Sequence, residues 1–497
     1  MSQSELETVH DVAVIGGGII GASAAQHLVA AGYKTILLER GDFSSGTSSR
    51  TSRLQHCGLS YFSAASGSIT AFLFHPLFAL KSLELARRAM RGRAEFVRSC
   101  PERVEKVTFF VPLTASNAIS ISKARIAFAM LSACADGLPL DLKVYSPAEA
   151  RQLPAFSGIA DHDQLRGAIS FTEYQYKWPE RIIIEAIVKA RAQGLTACNY
   201  TEVIALERKG GLWRIEARRR DGSLVTITAR AIANTAGVWV DEITRLARRN
   251  GPVLNKGAKG ANIVLKLPDQ FRGIGFDTVT RSGMPFYIIP WGGLHYVGPW
   301  DSPAEGRRED FRASEDDIGA IMGELNALFP DLNLGRDDVL YSWAGVRPRT
   351  AFGTSALGSL DVMEHDLHAQ GLPNFVVFTG GLFMTHRDAG RRITRAIGKH
   401  LAPSGAARAI DYTVPAMPDC TVFSPAAVRW AVEQEQAISL AGILRRRLMM
   451  GWNPDLGLDL AEETARIAAP LLGWDDAARQ EQVDHFRQST HFFYGKA

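Results

Sequence analysis

The chain has 497 residues, too many for one simple core, so two or three packed units are expected. With 46% hydrophobic and 22% charged residues, global disorder is excluded. A net charge of +4, from 56 basic and 52 acidic residues, does not indicate a nucleic-acid-binding protein.

The N-terminus, Met1–His10, is polar and acidic and does not read as a signal peptide. Val12–Ile15 is a short apolar run, predicted as a buried parallel strand. A helix rich in Ala follows over Ile19–Ala31, with Gly32 placed as its C-terminal cap, and Thr35–Leu38 is a second buried strand ending at Glu39. Together these make a βαβ unit. The apolar run Phe72–Leu80 is too short to span a bilayer and contains Pro76. Leu77–Val97 reads as a helix whose second half is basic, with Arg87, Arg88, Arg91, Arg93 and, just beyond it, Arg98. Pro179–Gly194 is a further helix. Thr201–Ala217 alternates as strands turning at Gly210-Gly211, with a second turn at Asp221-Gly222. Ile232–Gly237 reads as a short strand. From about 250 to 345 the pattern is strand-rich, then helical over Ser314–Leu328. Phe375–Thr379 is another buried strand, followed by Gly380-Gly381 and a helix over Asp388–Leu401. A loop-like linker, Pro403–Pro418, leads to a helical C-terminal unit. Cys57, Cys100, Cys134, Cys198 and Cys420 are scattered, without CxxC or zinc spacing, and suit free thiols in a cytoplasm.

Gly16, Gly18 and Gly21 form G-x-G-x-x-G directly after a strand and opening a helix. The first allows the tight turn, the second lets a pyrophosphate approach the backbone, and the third lets helix and strand pack closely. The helix N-terminus offers amide donors and partial positive charge to phosphates. Glu39 stands at the spacing of a ribose-binding carboxylate, and Arg40 beside it is the alternative contact for a 2′-phosphate. The hydroxyl-rich stretch with Thr47, Ser48 and Ser49 suits a second pyrophosphate contact. Asn234–Asp241, with Ala236 and Gly237, resembles the second short motif by which flavoproteins hold FAD. Gly381 and Thr385 precede a helix that can aim its N-terminus at a flavin, and Val203 joins the cofactor set.

On these segments the chain resembles the FAD-dependent glycerol-3-phosphate dehydrogenases of the DAO type. The resemblance runs through DVAVIGGGIIGASAA, RLQHCGLSY, NTAGVWVD, VGPWD, GVRP and TGGLFMTHR, and extends to the C-terminal helices around Ile443–Arg447. It implies an α/β architecture: a Rossmann-like FAD-binding domain over residues 1–404, an interleaved β-sheet substrate domain (roughly 80–165 and 245–345), and an all-α cap over 405–497. It also implies hydride transfer from a CH–OH carbon to FAD. Candidate catalytic residues are His56 and His386, as bases, and Arg347, as anion anchor; Tyr61, Asn262 and Arg349 join Arg347 as substrate contacts. Lys259 is a weaker candidate.

Three departures bear on the substrate. Ser60 replaces a family arginine, Leu382 a lysine, and Asn262 a histidine. A phosphate dianion is best held by several cations, so the losses point toward a carboxylate or a differently posed polyol phosphate. The expected activity is oxidation of glycerol 3-phosphate or a related polyol phosphate. The alternative is a hydroxy-acid or amino-acid oxidase or dehydrogenase, and a non-catalytic FAD-binding protein is the third reading. A quinone or other electron acceptor is expected, from a cytoplasmic position with a peripheral membrane contact. The basic helix and Arg445-Arg446-Arg447 are candidates for that contact, with solvated surface as the plain alternative.

Overall fold

The computed structural model describes residues 8–57, 76–114, 121–304, 306, 310–351 and 362–495. The fingerprint strand, Val9–Ile15, lies inside a sheet ordered Met363–Asp366, Phe375–Thr379, Leu224–Asn234, Val9–Ile15, Thr35–Leu38, Thr196–Cys198. All neighbours are parallel except the edge strand Met363–Asp366. Period-two alternation divides the central strand between two cores. Val12 and Val14 pack with Leu28, Ile183 and Ile393 of the covering helices, whereas Ala13 and Ile15 pack with Trp213 and Ile215 of a hairpin on the other face. That hairpin is Thr201–Lys209 with Leu212–Arg219. The strand expected from Ile232 begins at Leu224, because its first half pairs with the hairpin before its second half enters the parallel sheet.

A second, mostly antiparallel sheet runs Val339–Arg347, Ala258–Leu265, Leu294–Pro303, Pro285–Trp291, Ile274–Val279, Val104–Leu113, Gly167–Tyr176, Leu54–Gln55. The pair Val104–Leu113 and Gly167–Tyr176 escaped the pattern reading. Every residue of Gly167–Tyr176 is buried, so it shows no alternation. The helix Glu315–Leu328 starts from a Ser314–Asp317 capping box and covers the outer face of this sheet through Ile318, Ile321 and Leu325.

The C-terminal helices Pro425–Glu433, Ala461–Leu472 and Asp476–Tyr494 share a core of Val428, Leu444 and Phe486. Charges bind this unit to the rest. Arg181 donates to Glu435 at 2.7 Å, and Arg447 donates to Asp42 at 2.9 Å. Arg53, paired with Glu180, lies between the rings of Trp291 and Trp452 at 4.4 and 4.3 Å. The Arg445–Arg447 run therefore does not form an exposed basic face: Arg445 and Arg447 are buried. Arg93 likewise leaves the basic face of its helix, Pro76–Ser99, for a buried pair with Glu173, while Arg87 and Arg91 stay exposed.

Candidate active site

The glycines make a cradle that side chains would fill. Gly16 has φ +108°, and a Cβ there would meet Ala236 and Thr235 backbone at 2.8 Å. A Cβ on Gly21 would lie 1.8 Å from the Gly16 carbonyl, so the third glycine serves helix–strand packing and stays off the cleft wall. The Glu39 carboxylate accepts N–H from Gly17 at 2.6 Å and from Gly41 at 2.8 Å, which locks the turn. Burial, partly countered by those two bonds, raises its pKa. Ser48 accepts the Ile19 amide at 3.0 Å at the start of the helix. Thr47 reaches across to donate to the Val346 carbonyl at 2.6 Å and so ties the first sheet to the second. Ser49 turns inward to the Gly46 carbonyl. Arg40 stacks over Trp239 at 4.4 Å.

These elements open on a cleft of about 710 Å³ between the two sheets. Gly16, Gly18, Glu39, Arg40, Thr47 and Ser48 line it, together with Val203, Ala236, Gly237 and Gly381. The second sheet and the Gly380–Met384 turn add His56, Asn262, Arg347, Arg349 and Leu382. These residues, scattered from 16 to 382, thus share one cavity, of a size typical for cofactor sites.

The wall from the second sheet carries two guanidiniums, Arg347 and Arg349. Arg347 and Arg349 share one carboxylate, Asp301. Arg347 grips it with both terminal nitrogens, one of them at 3.1 Å, and Arg349 stands 3.6 Å away. Two guanidiniums against one carboxylate leave a single net positive charge. Gly260 lets the Arg347 guanidinium lie close, since a Cβ there would sit 2.5 Å from it and push it aside. His56 is held neutral: burial, then Arg93 and Arg347, push it down to about 4. Beside it, the Cys57 amide donates to Glu173 at 2.8 Å, and Glu173 also accepts from Arg93 at 2.6 Å. This buried pair fixes the backbone that presents His56, and neither it nor Asp301 was identified as functional from sequence. Asp301 closes the VGPWD segment, but its role depends on a sheet register that puts Asp301 opposite Gly260 and Gly260 opposite Gly345.

The residues fit FAD. Backbone amides, a helix start and a glycine floor, where a Cβ on Gly16 would strike Ala236 and Thr235, suit the pyrophosphate; the buried Asn262 Oδ1, with no protein partner, is left for a substrate donor. The family model described as FAD dependent oxidoreductase matches residues 11–402.

The chain belongs to the FAD-dependent oxidoreductase (DAO) family.

Among curated relatives, it is 30% identical to the glycerol-3-phosphate dehydrogenase of Synechocystis over 79% of this chain and 70% of that one. It is 28% identical to the human mitochondrial glycerol-3-phosphate dehydrogenase over 80% of this chain, but spans only 54% of that protein. In structure it is similar to the glycerol-3-phosphate dehydrogenase of Bacillus halodurans complexed with FAD, with TM-score 0.73, 20% identity and coverage of 99% of this chain and 96% of that chain. The FAD-bound L-α-glycerophosphate oxidase of Mycoplasma pneumoniae follows at TM-score 0.62 and 16% identity, covering 82% and 100%.

Some candidates of this oxidoreductase fall off the cleft wall. His386 is buried at the first position of its helix, His386–Gly398, and does not line the cleft. Its Nδ1 donates to the Phe383 carbonyl at 2.8 Å and the ring packs edge-on against Phe96. Burial, with Arg387 beside it, pushes the imidazole down to about 3. That placement removes His386 from the candidate bases. Thr385 is also buried: its hydroxyl donates to the Leu382 carbonyl at 3.0 Å and shapes the cleft-lining turn from behind. Lys259 is tied to Asp317 at 2.6 Å, away from the cleft. Tyr61 and the Ser60 departure lie outside the described residues.

Proposed function

We propose that this oxidoreductase oxidises the hydroxyl-bearing carbon of a small anionic substrate, glycerol 3-phosphate or a related polyol phosphate. The observation that carries the reading is a neutral imidazole, His56, near the forked cation Arg347, on the cavity wall facing the FAD cradle. When bound, FAD supplies the two-electron oxidation by taking hydride from the substrate carbon. Arg347, steadied by Asp301, orients the anionic group. His56 accepts the hydroxyl proton, and its neutral state leaves it ready to do so. Asn262 Oδ1 receives a second hydroxyl, and Leu382 helps exclude water. The glycerol-3-phosphate dehydrogenase names of the relatives support this assignment.

The single net charge around Asp301 favours one second reading, a hydroxy acid whose carboxylate lies against Arg347 and Arg349. For the electrons we propose a quinone or another diffusible acceptor, reached from the cytoplasmic side of a membrane. Arg87 and Arg91, exposed on the helix Pro76–Ser99, support a peripheral contact.

His56→Ala tests the assignment of the base. Single-turnover flavin reduction should slow by roughly a hundredfold or more while the protein keeps its FAD. An unchanged reduction rate would remove His56 from the chemistry.

A further inference from the structure

A second cavity, of about 510 Å³, lies where the C-terminal helices meet the first sheet. Arg50, Arg220, Arg445 and Arg446 line it, with Ser489 and Tyr494 among its other walls. The charges do not balance. Arg446 and Arg447 share the single carboxylate of Asp42, and Glu180 is committed to Arg53. Among the described residues neither Arg50 nor Arg445 pairs with a carboxylate. Arg50 stacks on Phe493 at 4.7 Å. Arg445 is 5% exposed, lies over the rings of Phe486 and Tyr494 at 4.7 and 4.4 Å, hydrogen-bonds Thr490, and leaves its Nε with no partner. Burial above all, with Arg446 and Arg50 close by, pushes Arg445 down to about 10. Glu481 is the remaining acid on the cavity wall, and it is exposed.

Buried charges in folded proteins are paired, and an uncompensated guanidinium is strongly destabilising. Aromatic faces offset only part of that cost. A planar guanidinium group binds carboxylate or phosphate bidentately, and several guanidiniums around one cavity favour the more highly charged phosphate. We infer that this cavity is a second anion site that takes a phosphate group, carried by free phosphate or by a small phosphate monoester, between Arg50, Arg445 and Arg446. It is distinct from the FAD cleft, whose lining does not include Arg445 or Arg446. The two cavities share Gly41, Ser45 and Arg50, so an anion held in the second would brace the loop that walls the first.

The test is calorimetric titration of the full-length, FAD-loaded protein at fixed ionic strength, once with inorganic phosphate and once with AMP. One saturable site per chain that persists in Arg347→Ala, and so lies outside the FAD cleft, is expected. Ser489→Glu, which adds a carboxylate to the cavity and removes no arginine, should weaken binding by roughly tenfold or more and raise the phosphate-free melting temperature. Arg445→Met should weaken binding to a similar degree. Tighter binding of AMP than of phosphate assigns the site to a monoester, and the reverse order assigns it to the free ion. No saturable binding of either probe, or an affinity unchanged in Ser489→Glu, overturns the proposal.

Discussion

The two walls of the FAD cleft are built from different materials. The wall contributed by residues 9–50 is mostly backbone: glycines without side chains, amides turned onto Glu39, and a helix start held by Ser48. The wall contributed by the second sheet is mostly side chain: His56, Asn262, Arg347 and Arg349, brought together by strands far apart in sequence. A backbone wall tolerates no added atom but reads no substrate. A side-chain wall is retuned by single substitutions, and the departure noted at Asn262 falls there. The comparison teaches that cofactor binding and substrate choice can diverge separately in this fold.

The strongest way to break the contrast is to damage the backbone wall. Gly21→Val puts a Cβ 1.8 Å from the Gly16 carbonyl, and the cost should reach about 3 kcal/mol, with flavin lost on purification. A yellow, stable variant would show that the close packing is dispensable. The side-chain wall should respond differently. Arg347→Ala leaves Asp301 with only the 3.6 Å contact to Arg349, and kcat/KM should fall by on the order of a hundredfold with FAD retained. Loss of flavin in that variant would merge the two walls into one.

The smallest expected effect on turnover belongs to His386→Asn, whose ring lies off both walls. Activity per bound flavin should be unchanged, and the signal should appear in stability instead. His27, His56 and His295 are pushed to about 4 and His386 to about 3, each chiefly by burial. Folded, they stay neutral where the unfolded chain takes up protons, so stability falls as pH drops from about 6.5 toward 4. Removing His386 should flatten that decline in a series of melts. An undiminished slope together with reduced turnover would return His386 to the active site.

The same contrast explains what was legible from sequence. The backbone wall follows from local spacing: strand, glycines, helix, strand and Glu39 lie within some thirty residues, and the structure reproduces Thr35–Leu38 and Phe375–Thr379 as expected. The pairing of Arg347 with Asp301 spans 46 positions and depends on strand register, which no single-sequence pattern reveals. His386 was misplaced for a related reason: a motif match places a residue near the flavin but does not show which way its side chain points. Glu173 and Arg93 were hidden because buried ion pairs carry no local signature.

The most direct test is an anaerobic titration of the FAD-loaded protein, following loss of the flavin's visible absorption. Glycerol 3-phosphate, longer polyol phosphates, hydroxy acids and amino acids would be compared. Reduction by a polyol phosphate, and not by the unphosphorylated acids, is the predicted result. Reduction only by a hydroxy or amino acid would contradict the proposed substrate, and no reduction by any of them would contradict the proposed chemistry.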